Sequence, residues 1–204
     1  MLRETGVPIV GEAGPGGGVR LEGQRGVTAV HLSVSEIATL WLTARLSQAG
    51  SDLPWGGAAN SALSKLLASL PRDRAQELRA LCRRVIIGTP PSQRVLAGAG
   101  QSSPELLRLF EEAFSGRVGL GFEYCDREDK QSSRSVEPHG LLVQGPVWYV
   151  LARDLERDGP RMFRMDRISR PRLLRTVQFR PDANVIWALL SPECRWRSLL
   201  GEVR

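Results

Sequence analysis

The chain of 204 residues has ordinary globular composition, with 42% hydrophobic and 25% charged residues, which excludes wholesale disorder and collagen-like repeats. Its length suits one large domain or two small ones, and no apolar run approaches the roughly 18 residues that a membrane helix needs. Three widely spaced cysteines, Cys82, Cys125 and Cys194, argue against a disulfide framework or a zinc site. We therefore expect a cytoplasmic protein that holds no metal and no cofactor.

The charge balance is basic and depends on arginine. Lys+Arg 28 against Asp+Glu 22 gives a net charge of +6, and only Lys65 and Lys130 are lysines. A GC-rich genome would produce the same bias, but seven arginines between Pro160 and Arg180, against the single acid Asp166, make the excess local. A basic surface of this kind indicates nucleic acid or another polyanion as a partner.

The N-terminal stretch predicts a β-hairpin. Val7–Val10 and Val19–Leu21 are β-prone, and a glycine-rich turn lies between them. A phosphate-binding loop would have to lead into a helix, and this one leads into a strand without a Walker lysine. Such a hairpin fits the wing of a winged helix, with Arg20 and Arg25 near the DNA backbone.

Three helices and a linker are predicted next. Ser33 and Glu36 have the spacing of a capping box, and apolar residues at helical intervals follow as far as Gly50. The same periodicity predicts helices over Gly57–Leu70 and Arg72–Ile87, the latter with Pro71 before its first turn. Gly, Pro and Ser then dominate Gly88–Pro104, where we expect a linker and a domain boundary.

Beyond the linker the pattern changes from helix to strand. Pro104–Ser115 predicts a helix, and residues with period two then predict short strands at Val118–Tyr124, Ser135–Pro138, Leu141–Gln144, Val147–Arg153 and Arg161–Arg167. The last stretch, Asp182–Arg204, is predicted to be weakly helical. The fold class is α+β, and strands at this spacing allow a small barrel or a curled sheet.

The inventory for catalysis is thin, and no enzyme is expected. Neither of the two histidines, His31 and His139, has a nucleophile at the spacing of a known signature. Cys125 lies beside acidic residues, whose negative charge disfavours the reactive thiolate. The acids of the same stretch could bind a metal, but a solvated turn between strands is the more common reason for such a cluster.

The most informative strands contain Trp148 and Phe163. Trp148 and Val150 point to one face of their strand and Tyr149 to the other. On the second strand, Phe163 and Met165 alternate with Arg164 and Asp166. We expect Trp148, Phe163 and Met165 in the core, and a polar face that carries Tyr149, Arg164 and Arg153. Such a face is either a binding surface or simply solvated.

This region resembles a WYL domain, the ligand-sensing module of many bacterial transcription regulators. The signature stands here as Trp148-Tyr149-Val150, with valine in place of leucine. Pro138-His139 and the run from Phe163 to Ile168 (FRMDRI) also match. The resemblance implies an Sm-like, SH3-type β-barrel and a site for a negatively charged effector, nucleic acid or nucleotide. The candidate ligand-binding residues are His139, Tyr149, Arg153, Arg164 and Arg167, although Arg164 and Asp166 could instead form a structural ion pair.

The N-terminal part resembles the same family from the wing onward. The implied layout is a wing hairpin over 1–30, a helical region over 31–90, a linker over 91–104, the WYL domain over 105–180 and a C-terminal extension over 181–204. The recognition helices that precede the wing in the family do not fit before Gly6. A truncation, a start codon placed too late or a natural form without these helices would each explain this.

These expectations converge on a transcription regulator that senses an effector and forms a homo-oligomer. Its WYL domain would bind single-stranded nucleic acid or a nucleotide, because an aromatic ring and guanidinium groups are the parts that such ligands use. Duplex DNA would be bound by a full-length form. The alternative is an interaction protein without a DNA reader, which dimerises with a full-length regulator and modulates it.

Overall fold

The computed structural model describes residues 9–11, 19–21, 32–48, 56–192, 196–198 and 201–202. The chain divides into two compact units, residues 1–33 and residues 34–204. In the first unit, β1 (Ile9–Gly11) pairs antiparallel with β2 (Val19–Leu21), and Val10 lies opposite Arg20. This confirms that the two predicted segments pair, whereas the glycine turn lies outside the described residues. The assignment of the pair as a wing stays a prediction.

The second unit contains the four helices that periodicity predicts, together with two short ones. They are α1 (Val34–Gln48), α2 (Gly56–Ser69), α3 (Arg72–Arg83), α4 (Gln93–Ala97), α5 (Pro104–Gly116) and α6 (Ala183–Trp187). The short α4 lies within the predicted linker. At the start of α5 the Ser103 hydroxyl accepts a hydrogen bond from the Leu106 amide at 3.1 Å, which caps the helix. In the part of the chain that the structure describes, no helix is long and apolar enough to cross a membrane.

One mixed sheet organises the second unit. Its strands are β3 (Val85–Ile87), β4 (Val118–Cys125), β5 (Gln131–Gln144), β6 (Val147–Asp154), β7 (Gly159–Arg164), β8 (Ile168–Gln178), β9 (Arg197–Ser198) and β10 (Gly201–Glu202). The long β5 pairs antiparallel with β4 along its first half and with β6 along its second half. β3 pairs parallel with Leu141–Val143 of β5, so the sheet includes strands from both sides of the predicted linker.

Four segments differ from the predicted elements. Asp182–Arg204 was expected to be weakly helical, but its described part contains the short α6 and then the strands β9 and β10. Val85–Ile87 was expected to end the third helix, but it is β3, because these β-branched residues pair with β5 and are mostly buried there. The expected turn at Gly140 is a bulge within β5. Arg161–Arg167 was expected to be one strand, but β7 ends at Arg164 and a 3₁₀ turn (Met165–Arg167) leads into β8, which was not predicted.

The barrel that the resemblance implies is not confirmed. Five strands run in the spatial order β8-β4-β5-β6-β7, and the pairings of the described residues do not join β7 to β8. The sheet is therefore open. The observed fold class is α+β, with mixed helix and sheet content.

Both faces of the β5–β6 region are packed. On one face Val150, Phe163 and Met165 are at most 3% exposed, which confirms the core position of Phe163 and Met165. Trp148 is only half-buried, so its predicted core position is not met in full. On the other face Leu142 and Leu151 pack with Ile186 of α6.

Candidate functional site

Tyr149 and Arg164 lie directly opposite each other on β6 and β7. Opposite residues of an antiparallel pair project to the same face of the sheet, so the phenol and the guanidinium are neighbours. Burial raises the pKa of Tyr149, and the charges of Arg164 and Arg127 oppose that rise. The sequence prediction that Tyr149 and Arg164 share one face is confirmed.

Arg164 is held by an ion pair with Asp166. Its Nε donates to Asp166 Oδ1 at 2.8 Å, and its Nη2 donates to the second carboxylate oxygen, which makes the pair bidentate. The two side chains are 10% and 8% exposed. The structural ion pair, which the sequence left open for these residues, is thus formed.

The same pair fastens the chain that precedes α5. Arg164 Nη2 donates to the Gly98 carbonyl at 2.6 Å, and the Gly100 amide donates to Asp166 Oδ2 at 2.7 Å. Burial raises the pKa of Asp166, but the hydrogen bonds from Arg164 and Gly100 together outweigh it and hold this pKa below its ordinary value. Part of the predicted linker is therefore attached to the sheet.

Two residues join this region that the sequence analysis missed. Tyr124 Oη accepts a hydrogen bond from the Arg164 amide at 3.3 Å, and its ring packs edge-on against Phe163. Arg127 follows β4 in the turn toward β5, near enough to Tyr149 for its charge to act on the phenol. The sequence analysis missed both residues because it did not predict β8. Tyr124 pairs with Ile168 of β8, and this pairing brings the turn between β4 and β5 beside the 3₁₀ turn.

Arg167 lies in that 3₁₀ turn and is half-buried. Its charge acts on both Asp166 and Asp126 and helps to lower the pKa of each. The ligand role that the sequence analysis gives to Arg167 stays a prediction. We call Tyr124, Arg127, Tyr149, Arg164 and Arg167 the tyrosine–arginine cluster.

The face that carries Tyr149 is not the polar face that the sequence predicted. Tyr149 packs against a buried cluster that includes Leu142 and Leu151, and Ile186 of α6 belongs to the same cluster. Strand periodicity could not show this, because α6 comes from the end of the chain and covers a face that alternation alone leaves open to solvent. Tyr149 consequently has one side against apolar residues and another toward charged ones.

The other two candidates, His139 and Arg153, form a separate group. Glu137 joins them: it lies opposite Arg153 in the β5–β6 pairing, and its carboxylate is 3.4 Å from His139 Nε2. His139 is 3% exposed, and its Nδ1 accepts a hydrogen bond from the Asp182 amide at 2.9 Å. Burial is the largest influence on His139 and lowers its pKa, which favours the neutral ring.

Protein groups therefore occupy both nitrogens of His139, and its ring packs edge-on against Phe179. Arg153 is half exposed, and its Nη2 forms an ion pair with Asp158 Oδ1 at 2.5 Å. A ligand role for either residue stays a prediction.

Arg84 is a buried arginine within the segment that the sequence predicts as the third helix. It follows α3 and is 7% exposed, and its guanidinium donates to three backbone carbonyls, those of His139, Phe114 and Pro138, at 2.7–2.8 Å. Burial, with the nearby charge of Arg117, lowers the pKa of Arg84. In the part of the chain described here, no carboxylate lies within ion-pair distance of it.

Those carbonyls need a donor for identifiable reasons. The bulge between Pro138 and Gly140 interrupts the ladder, and Phe114 lies in the last turn of α5, where helix carbonyls have no partner. Gly140 is required at this bulge, because a Cβ there would stand 2.9 Å from the Ile186 side chain and 3.2 Å from the Arg84 carbonyl. Arg84 thus joins α3, α5 and β5.

The remaining predictions concern the wing and the metal alternative. Arg20 lies in β2, but its side chain is outside the described residues, as is the whole of Arg25. Asp126 accepts hydrogen bonds from the Glu128 and Lys130 amides and so orders the turn after β4. Within the described ranges no group of three metal-ligating side chains is present.

Comparison with known proteins finds curated relatives that match most of this chain. The chain is 26% identical over 174 residues to Protein PafB of Mycobacterium leprae (strain TN), and the match covers 82% of this chain and 49% of that protein. Protein PafB of Mycobacterium tuberculosis (strain H37Rv) is 26% identical over 177 residues, with the same shares covered. The chain spans about half the length of these curated relatives.

Among solved structures, the proteasome accessory factor B/C (PafBC) of Arthrobacter aurescens matches with 21% identity and a TM-score of 0.39. That match covers 93% of this chain and 26% of the PafBC chain. The family model of the WYL domain matches residues 105–173, which run from α5 into β8 and include the whole tyrosine–arginine cluster. Residues 105–173 of this chain are therefore a WYL domain.

Proposed function

We propose that this chain is the effector-sensing part of a transcription regulator and that its WYL domain binds single-stranded nucleic acid or a nucleotide. The observation that carries the proposal is the position of Tyr149 opposite Arg164, with the charge of Arg127 acting on the Tyr149 phenol and that of Arg167 on the Asp166 carboxylate. A half-buried ring beside several guanidinium groups offers a stacking surface and phosphate donors together. The role is binding rather than catalysis, as the sequence analysis expects.

The three arginines differ in how freely they meet a phosphate. Arg127 is exposed and Arg167 half-buried, whereas Asp166 and Gly98 already engage the Nε and Nη2 atoms of Arg164. Nη1 of Arg164 forms none of the hydrogen bonds found among the described residues. An incoming phosphate would therefore be met by Arg127 and Arg167, with Arg164 Nη1 as the third donor.

The salt dependence of oligonucleotide binding tests this proposal. Each phosphate contact with a single strand lowers log affinity by about 0.7 per unit of log salt concentration, so three contacts predict a slope of roughly −2. Arg167→Ala is expected to flatten the slope by about 0.7. Arg79→Ala, an exposed arginine on α3, is the control and should leave the slope unchanged. The measurement is titration of a short fluorescent oligonucleotide at four salt concentrations; equal effects of the two variants would refute the proposed site.

Tyr149 is expected to act through its ring. Tyr149→Ala should cost about 1–3 kcal/mol of single-strand affinity, because a base loses its stacking partner. Tyr149→Phe keeps the ring and should retain most of the affinity. Since Tyr149 also packs against Leu142 and Leu151, thermal unfolding of both variants is followed alongside binding. An affinity loss in Tyr149→Phe as large as that in Tyr149→Ala would rule out stacking.

A further inference from the structure

A cavity of about 620 Å³ lies between α1, α5 and the sheet, beside the tyrosine–arginine cluster. Pockets for small molecules commonly enclose roughly 300–1,000 Å³ and are lined mainly by apolar groups. The cavity wall is mostly apolar and includes Phe110, Val147, Trp148 and Met165. In both size and lining it suits a small organic ligand.

The charge of the wall opposes the charge of the chain as a whole. Although the sequence carries a net charge of +6, the described residues that line the cavity include no arginine, lysine or histidine. Two carboxylates do line it, those of Asp166 and Glu111. Asp166 is neutralised by Arg164, whereas Glu111 is exposed and forms no ion pair among the described residues. An anion entering this space would lose its water and meet uncompensated negative charge.

We infer that this cavity is a binding site for a small apolar molecule that is neutral or cationic. Trp148 explains part of the fit: it is only half-buried, and a ligand would cover the part of its indole that the protein leaves open. Leu107, at 42% exposure, lines the same cavity from α5 and would be covered as well. The inference does not depend on nucleic-acid binding, because the wall lacks the cations that phosphates need.

A matched pair of probes tests the ligand class on the full chain. N-phenyl-1-naphthylamine is apolar and neutral, and 1-anilinonaphthalene-8-sulfonate is the same molecule with an added sulfonate. The neutral probe is expected to bind saturably at one site per chain, with a rise in fluorescence on leaving water. The anionic probe can also bind to arginines elsewhere on the surface. Variants that fill the cavity distinguish the two kinds of binding, because they should weaken only binding inside the cavity.

The variants exploit two threonines on α1. Thr39 lines the cavity and Thr43 does not; both are exposed, and each donates its hydroxyl to the carbonyl four residues earlier, at 2.9 Å. Thr39→Trp should fill the cavity and weaken the neutral probe by about tenfold or more, while Thr43→Trp should leave binding unchanged. Leu107→Trp is the second filling variant and is used if Thr39→Trp lowers the melting temperature.

Each outcome decides the inference. Loss of the neutral probe in the filling variants alone, with anionic-probe binding equal in all variants, would support it. Absence of saturable neutral-probe binding, or the same affinity in Thr39→Trp and Thr43→Trp, would overturn the site. Anionic-probe binding that is as tight as that of the neutral probe and is lost in the filling variants would overturn the ligand class.

Discussion

Arg84→Ala is expected to lower the free energy of unfolding by about 3 kcal/mol or more, because it removes three buried hydrogen bonds from a charged group, each worth about 1–3 kcal/mol. The guanidinium also lies 3.7 Å from the centre of the Phe114 ring, and that contact disappears with it. Burying this charge without a carboxylate is itself unfavourable, as its lowered pKa indicates. The three hydrogen bonds and the ring offset that cost in the wild-type protein.

Chemical denaturation measures this loss, and Arg83→Ala is the matched control. Arg83 is adjacent in sequence but exposed at the end of α3, so its removal should change stability little. Arg84→Lys should recover only part of the loss, because an ammonium group lacks the planar fork that reaches three separate carbonyls. If Arg84→Ala were as stable as Arg83→Ala, the hydrogen bonds described here would not matter to folding.

Arg164→Ala is expected to cost about 3–5 kcal/mol, because it leaves the carboxylate of Asp166 buried without its ion partner. It also removes the hydrogen bond to the Gly98 carbonyl, so the chain before α5 loses one of its attachments. Arg161→Ala, an exposed arginine on the same strand, is the control and should leave stability nearly unchanged. A cost for Arg164→Ala no greater than that of the control would contradict a structural role for the pair.

The cost of Arg164→Ala should depend on pH with a definite sign. Because the folded state holds the pKa of Asp166 below its ordinary value, this group adds stability above the unfolded value of about 3.9. That contribution is lost as the pH falls through the lower, folded pKa. The stability difference between wild type and Arg164→Ala, measured by urea unfolding, should therefore be largest near neutral pH and shrink below about pH 4. A difference that stayed constant down to pH 3 would show that the carboxylate charge is not involved.

Local patterns predicted most of the helices and the pairing of the central strands. Periodicity placed α1, α2 and α5 within about two residues of their observed ends, since an amphipathic helix records its buried face in its own sequence. Alternation also separated Trp148 from Tyr149 and placed Arg164 on the face of Tyr149. These features depend on residues close together in the chain, and here the sequence alone is sufficient.

The strand β3 and the burial of Arg84 could be recognised only from the tertiary structure. Val85–Ile87 continues a helical pattern, and only pairing with Leu141–Val143, more than fifty residues away, makes it a strand. Likewise Arg84 looks like a surface arginine until the bulge in β5 and the end of α5 present it with carbonyl groups.

By itself, the sequence determined the class of the fold: an α+β chain, rich in arginine, whose strand alternation places Tyr149 and Arg164 on one face. The tertiary structure alone decided which polar residues are buried and paired. In the folded chain Arg164 is paired with Asp166, and Tyr124 and Arg127 lie near them. The helix α6 covers the face that carries Tyr149, and an apolar cavity lies beside the tyrosine–arginine cluster. The physical reason is that burial and ion pairing depend on groups distant in the chain, whereas periodicity reports only on the nearest turns and strand neighbours.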